Sequence, residues 1–247
     1  MYADALRRFL GCRGNLIFLT TSVVSLAAAA TIGFDAWTPL WLAIGVITYA
    51  PQEHLVHKFI FHAPAPRNRF LYRVLYRLHF GHHDTPNRLD ILFTPVWFVL
   101  TVLAVNLAVM VSLHQFAGVP LVHALTWLGA FMGSYVTFEW LHLLVHMPHP
   151  PRTRLMRFLR RRHLAHHYRD YDRWFTVFPL GVAVDFLLRT GGRIRDVPNR
   201  PAPRTLGLPR DDARVLAARA HYLSGTDGDA TRSSIWLDHA GKAEAAR

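Results

Sequence analysis

Acidic residues are few in this chain: 16 Asp and Glu stand against 28 Lys and Arg in 247 residues, a net charge of +12 with histidine neutral. Charge of either sign is sparse, 18% of residues against ~25% in a typical soluble domain. Cysteine is scarcer still. Cys12 stands alone, so the chain closes no intramolecular disulfide and holds no cysteine-based metal site. No internal repeat is evident. Long spans carry no charge at all, which assigns the basic balance to a lipid surface and membrane topology rather than to nucleic acid. Nucleic acid is therefore not an expected partner.

What is abundant is apolar, 51% of the residues. Four segments, residues 15–34, 37–61, 91–113 and 119–145, are long enough for the ~20 residues that cross a bilayer. Short links join the first to the second and the third to the fourth, which predicts two helical hairpins. Arg7, Arg8 and Arg13 precede the first segment; Lys58, Arg67, Arg69, Arg73, Arg77 and Arg88 lie between the hairpins; a block from Arg152 to Arg173 follows. The hairpin tips, residues 35–38 and 114–118, hold no Lys or Arg. This bias puts both termini and the middle loop in the cytoplasm. The first segment also has a basic start and small residues at 27–30, as a signal peptide would, but its length favours an uncleaved helix. The expected fold is an all-α integral membrane protein with a cytoplasmic helical cap from residues 62–90 and 146–190. The membrane domain then spans residues 1–190. Beyond it, Gly and Pro punctuate a polar cytoplasmic tail, residues 191–247, with a short helix over 211–222.

Histidine is the other excess. Of 16 histidines, ten fall into four clusters: His57 and His62; His79, His82 and His83; His142 and His146; His163, His166 and His167. Residues three or four apart share a helix face, so His142 and His146 can address one ion, and each HxxHH triplet presents its rings on one side. His57 and His62, five apart, converge only if the helix ends or distorts, or if they serve different ions. One HxxHH is expected by chance about 0.07 times in such a chain, and two far less often. All four clusters fall at cytoplasmic ends. Ten imidazoles exceed what one ion coordinates and suit two; imidazole binds Zn, Fe, Cu and Ni alike. His114, His123, His149, His221 and His239 read as structural or loop histidines.

The clusters sit in EHLVHKFIFH, LHFGHH, FEWLHLLVH and RRHLAHH. These resemble the histidine boxes of the fatty acid hydroxylase superfamily, most closely its fatty acid 2-hydroxylase branch, over about residues 51–190. DILFTP and VFPLGVAVDFLL resemble branch features more weakly. The resemblance implies two iron ions (zinc being possible in a purified protein), O2 as cosubstrate, and hydroxylation of an unactivated C–H bond of a membrane lipid or fatty acyl chain. It makes the ten clustered histidines the metal ligands. Sterol desaturase-like or carotenoid hydroxylase-like chemistry of the same superfamily, or a non-catalytic membrane metal-binding protein, are the alternatives. The sequence departs from the family at His54, often an aromatic residue, and at Phe138-Glu139, often Tyr-Asp.

A saturated C–H bond offers no leaving group, so a redox metal must carry the hard step. Glu53 and Glu139 each lie just before a cluster, and each is expected to accept an N–H from a ligand imidazole and fix its orientation. Asp185 is a weaker candidate for the same role. Arg160, Arg161 and Arg162 read as a topological cluster, and Trp174, Phe175 and Phe178 as interfacial anchors rather than a lipid entrance. With no HPGG-like haem segment in view, electrons are expected from a separate donor, a reductase with a cytochrome or ferredoxin.

Overall fold

The computed structural model describes residues 2–149 and 151–223, and helices are the only regular structure among them. In chain order these are α1 (Tyr2–Gly11), α2 (Arg13–Ile32), α3 (Thr38–Val56), α4 (Arg69–Leu75), α5 (Gly81–Asp84), α6 (Val96–Gln115), α7 (Leu121–His146), α8 (Arg154–Tyr168), α9 (Gly181–Leu187) and α10 (Ala213–Tyr222). Turns of π-helix continue α3 over His57–Phe61 and α4 over Tyr76–Phe80. Short 3-10 turns occupy Ile194–Asp196 and Pro203–Thr205.

Three helices, α2, α6 and α7, are long and apolar enough to cross a membrane. The expected fourth, α3, has 19 residues but ends on the polar run Pro51-Gln52-Glu53-His54. Glu53 and His54 are buried there, because this end of α3 feeds the histidine site. The third apolar segment becomes helical only at Val96, since Pro95 takes an extended conformation as N-cap and disfavours helix in the residue before it. Leu92 and Phe93 instead pack with Ala5 and Phe9 of α1, Leu143 and Met147. Helix α1 itself was not expected; Phe9 meets Trp140 edge-on at 5.5 Å.

Small residues let α7 sit at the centre of the bundle, as at many membrane helix interfaces. A Cβ on Gly45 of α3 would lie 2.6 Å from the Trp127 carbonyl oxygen, and one on Gly129 would lie 2.6 Å from Leu26 of α2. The Ser22 hydroxyl donates to the Gly129 carbonyl at 2.8 Å. Around these contacts Phe18, Tyr49, Trp127, Phe131, Tyr135 and Phe178 form an aromatic core. Side-chain caps start the helices outside it: Asn68 accepts from the backbone N–H groups of Phe70 and Leu71, Thr153 from Met156, and Asp212 from Arg214.

The described part of the expected tail is structured. Helix α10, close to the predicted position, packs Val215 and Ala218 against Tyr72, Tyr76 and Phe80. His239 lies outside the described residues, as does the tail beyond residue 223.

Candidate metal centre

The ten clustered histidines come together as two groups of five. His57, His62, His79, His83 and His166 form one; His82, His142, His146, His163 and His167 form the other. In each group the ligand nitrogens all lie within 4.8 Å of one another. Nine of the ten rings are buried, and only His62 reaches partial exposure.

Local backbone geometry explains the grouping. The backbone N–H of His62 donates to the His57 carbonyl at 3.0 Å, closing the i→i+5 ring of a π-helical turn. Wider winding brings residues five apart onto one face, so the α3 helix distorts and both histidines address the same group. The triplets behave differently from the one-sided arrangement expected. His79 and His83 go to the first group while His82 goes to the second; His163 and His167 go to the second while His166 goes to the first. Residues three and four further along a helix differ in direction by one residue's rotation, about 100°. Each triplet thereby supplies both groups and ties them together. His83 and His167 meet across the divide with ring centroids 4.2 Å apart.

Within the first group the Nε2 atoms of His57 and His79 approach to 3.0 Å, and those of His62 and His83 to 3.1 Å. In the second, Nε2 of His163 lies 2.8 Å from that of His146 and 3.0 Å from those of His142 and His167. In two of the rings the proton is placed away from the cluster. His57 donates through Nδ1 to the Phe175 carbonyl, and His166 through Nδ1 to the Arg173 carbonyl at 2.6 Å. Each Nε2 in those two neutral rings is then a bare lone pair. Burial holds His79, His82, His83, His163 and His167 well below the usual imidazole range, reinforced by neighbouring imidazoles, and pushes His166 down to about 4. Buried lone pairs facing one another repel unless a cation lies between them. Two nitrogens bound at right angles to one ion at ~2.1 Å stand ~3.0 Å apart, matching the spacings seen. The donor set therefore fits two metal ions.

A polar frame holds the first group. Asp185, fully buried, accepts from Arg162 at 2.8 Å, from the Thr176 hydroxyl at 2.7 Å and from the Thr190 hydroxyl at 3.1 Å. His54 lies 3.0 Å from its other oxygen. His54 is thus a partner of Asp185 and belongs to neither imidazole group. Arg162 is buried and paired with Asp185; charge runs do not reveal which member turns inward. Trp174, Phe175 and Phe178 are likewise buried rather than interfacial. Phe175 packs edge-on against the rings of His57 and His62 at 5.4 Å and of His166 at 5.5 Å. Trp174 takes a left-handed backbone (φ 55°), with its indole N–H on the Gly192 carbonyl at 3.1 Å.

Among the described residues neither predicted glutamate hydrogen-bonds an imidazole. Glu53 accepts the backbone N–H groups of Val177 at 2.7 Å and Phe178 at 3.2 Å. It acts on the segment whose Phe175 carbonyl orients His57. Glu139 accepts from the Thr94 hydroxyl at 3.0 Å. The second oxygen of each carboxylate is buried, with no hydrogen-bond partner among the described residues. Of the histidines read as structural, His123 lies 3.0 Å from Asp35 at the hairpin tip, His114 faces the Val119 carbonyl, and His221 packs on Tyr222.

Fold and site together define a helical, membrane-type protein built around two buried five-imidazole groups. No protein-family model matches the chain. Its relatives include dihydroceramide fatty acyl 2-hydroxylase FAH2 of Arabidopsis thaliana, 28% identical over 63% of this chain and 62% of the relative. The ceramide very long chain fatty acid hydroxylase SCS7 of Saccharomyces cerevisiae is 28% identical over 54% of the chain and 34% of that protein. Fatty acid 2-hydroxylase of Macaca fascicularis is 24% identical over 63% of the chain and 40% of that protein. The chain thus matches between about a third and three fifths of the length of these relatives. In fold it is similar to full-length scs7p, of which only the hydroxylase domain is visible, with TM-score 0.65 and 24% identity over 76% of this chain and 68% of that one. In sequence the chain is thus similar to proteins named as fatty acid 2-hydroxylases and a ceramide fatty acid hydroxylase.

Proposed function

We propose that this chain is an O2-dependent hydroxylase of a membrane lipid or fatty acyl chain, with two iron ions held by its ten clustered histidines. The observation that carries this is the division of ten imidazoles into two buried groups of five, a donor set with no other evident use, in a chain whose relatives are named as fatty acyl hydroxylases. When bound, the iron pair supplies the activation of dioxygen that an unactivated C–H bond requires. The protein's part is to hold the pair and exclude water. His57, His62, His79, His83 and His166 hold one ion, and His82, His142, His146, His163 and His167 the other. The carbonyls of Arg173 and Phe175 fix the proton on Nδ1 of His166 and His57, leaving Nε2 free to ligate. Phe61 and Phe175 cover the first group with apolar surface.

Four crossings in two hairpins follow if α3 spans together with its π-helical extension. The arginine bias then sets both termini and the metal centre on the cytoplasmic side. Beneath the centre, Tyr49, Phe131, Phe138 and Phe178 form an apolar floor suited to an acyl chain arriving laterally from the bilayer. A separate one-electron donor completes the stoichiometry: substrate, O2, two electrons and two protons give hydroxylated lipid and water.

The test is expression of the chain in a host grown under 18O-labelled dioxygen, with lipids compared by mass spectrometry. Labelled hydroxylated lipid that disappears in His166→Ala supports the proposal. Two bound metal ions with no oxygenated lipid, given a reducing system, overturn the enzyme reading and favour a non-catalytic metal-binding protein.

A further inference from the structure

The first triplet places His82 in one imidazole group and His83 in the other, so this dipeptide, like His166-His167, links the two centres through a single peptide bond. Neighbouring imidazoles pack on both rings, but among the described residues neither Nδ1 has a hydrogen-bond partner to fix its orientation, unlike those of His57 and His166. What holds the dipeptide comes from the next residue. Asp84 is buried, and its carboxylate accepts the Tyr76 hydroxyl at 2.7 Å and a two-pronged bond from Arg219, Nε at 2.7 Å and a terminal nitrogen at 2.5 Å. Its backbone carbonyl accepts from the Nε of Arg204 at 3.1 Å. Gly81 closes the same turn from the other side, where an added Cβ would lie 2.8 Å from the Tyr76 ring and carbonyl.

Both arginines lie far along the chain, Arg204 in the Pro203–Thr205 turn and Arg219 on α10. We infer that Arg204 and Arg219 are positioning residues: the segment from Pro203 to Tyr222 is a clasp that sets the spacing of the two metal sites by gripping Asp84. The inference rests on the two-metal reading above. A fork of two charged hydrogen bonds on a carboxylate fixes direction as well as distance, which is what two rings without a hydrogen bond at Nδ1 require. The rest of α10 supports the grip: Tyr222 stacks on Tyr76 with ring centroids 6.0 Å apart, and Arg214 donates to the carbonyls of Ala65 and Pro66.

The test uses the full chain in detergent micelles, titrated with Co2+ and followed by its visible ligand-field bands. The wild type is expected to bind two ions. Arg219→Met is expected to weaken at least one by 10–100-fold, the range for partners behind metal ligands, and to alter the ligand-field bands. Arg219→Lys should recover part of the loss. Arg214→Met loosens the docking of α10 without touching Asp84 and should leave cobalt affinity within threefold of wild type. Should Arg219→Met fail to fold, Tyr76→Phe removes a single donor to Asp84 and should shift the same bands with a smaller loss. Two ions bound with unchanged affinity and spectrum in Arg219→Met, or in Tyr76→Phe where that substitutes for it, overturn the clasp alone, as do equal losses in Arg219→Met and Arg214→Met. Fewer than two ions in the wild type overturn the two-metal reading and the clasp with it.

Discussion

Asp185→Asn removes the charge from the best-connected carboxylate near the metal centre and changes almost nothing in shape. Asp185 faces the Arg162 guanidinium, two threonine hydroxyls and His54, all in a fully buried setting. Asparagine keeps one carbonyl acceptor, enough for Arg162 and Thr176, but turns an N–H2 toward Thr190 and His54. Breaking a buried pair from one side costs about 3–5 kcal/mol because the surviving charge is uncompensated; the retained acceptor puts this case near the lower end, about 3 kcal/mol. At about 2–4 °C per kcal/mol for a chain of this size, the thermal midpoint should fall by about 6–12 °C. A second effect is local. Thr176 ties Asp185 to the segment carrying the Arg173 and Phe175 carbonyls, so His166 and His57 lose part of their orientation. Cobalt titration of the purified variant should show one ion weakened by about 10–100-fold and the other retained. Thermal melting by circular dichroism and metal stoichiometry are read on the same sample. A midpoint within 2 °C of wild type, or equal loss of both ions, refutes the reasoning.

The remaining predictions address other parts of the frame. Glu53→Gln keeps the acceptor for the N–H groups of Val177 and Phe178 and should retain both metals, whereas Glu53→Ala should lose the ion of the first group; plasma emission analysis of the two proteins decides between these outcomes. Gly45→Ala drives a Cβ into the Trp127 carbonyl, and since backbone cannot turn away, a loss of about 1–3 kcal/mol is expected and is measured as a lower melting temperature in detergent. Chelation should lower the melting temperature of the wild type reversibly, because an ion at about 100 times its Kd contributes about 2.7 kcal/mol; an unchanged midpoint after verified metal removal contradicts the site.

The clustered histidines were legible in the sequence and most of the groups around them were not, and the reason is physical. His142/His146 and His163/His167 announce themselves because four residues are one helical turn, so function leaves a period in the sequence. His57 and His62 show how far that goes: the five-residue spacing signalled a distorted or ended helix, but only the π-helical turn shows that both rings turn to one group. Which histidine of a triplet joins which group was not legible, since neighbouring directions on a helix differ by one residue's rotation and the sequence does not say where the partner helix stands.

The supports are invisible for a different reason. The groups that orient His57 and His166 are main-chain carbonyls, of Phe175 and Arg173, and a carbonyl has no residue type. What places those carbonyls is a convergence of His54, Arg162, Thr176 and Thr190 on Asp185, drawn from four stretches with no common spacing. Charge counting read Arg162 only as part of a topological cluster, because one buried arginine among neighbours looks like the others. His54 offers the one retrospective signal, as a histidine standing beside a box without its spacing, where the family often has an aromatic residue. A polar ring there needs a buried partner, and the partner found is Asp185. An acidic residue in an apolar stretch such as VFPLGVAVDFLL supplies the complementary half of that inference. The two departures from ordinary composition explain each other, and together they account for the fixed segment on which the first group of imidazoles is hung.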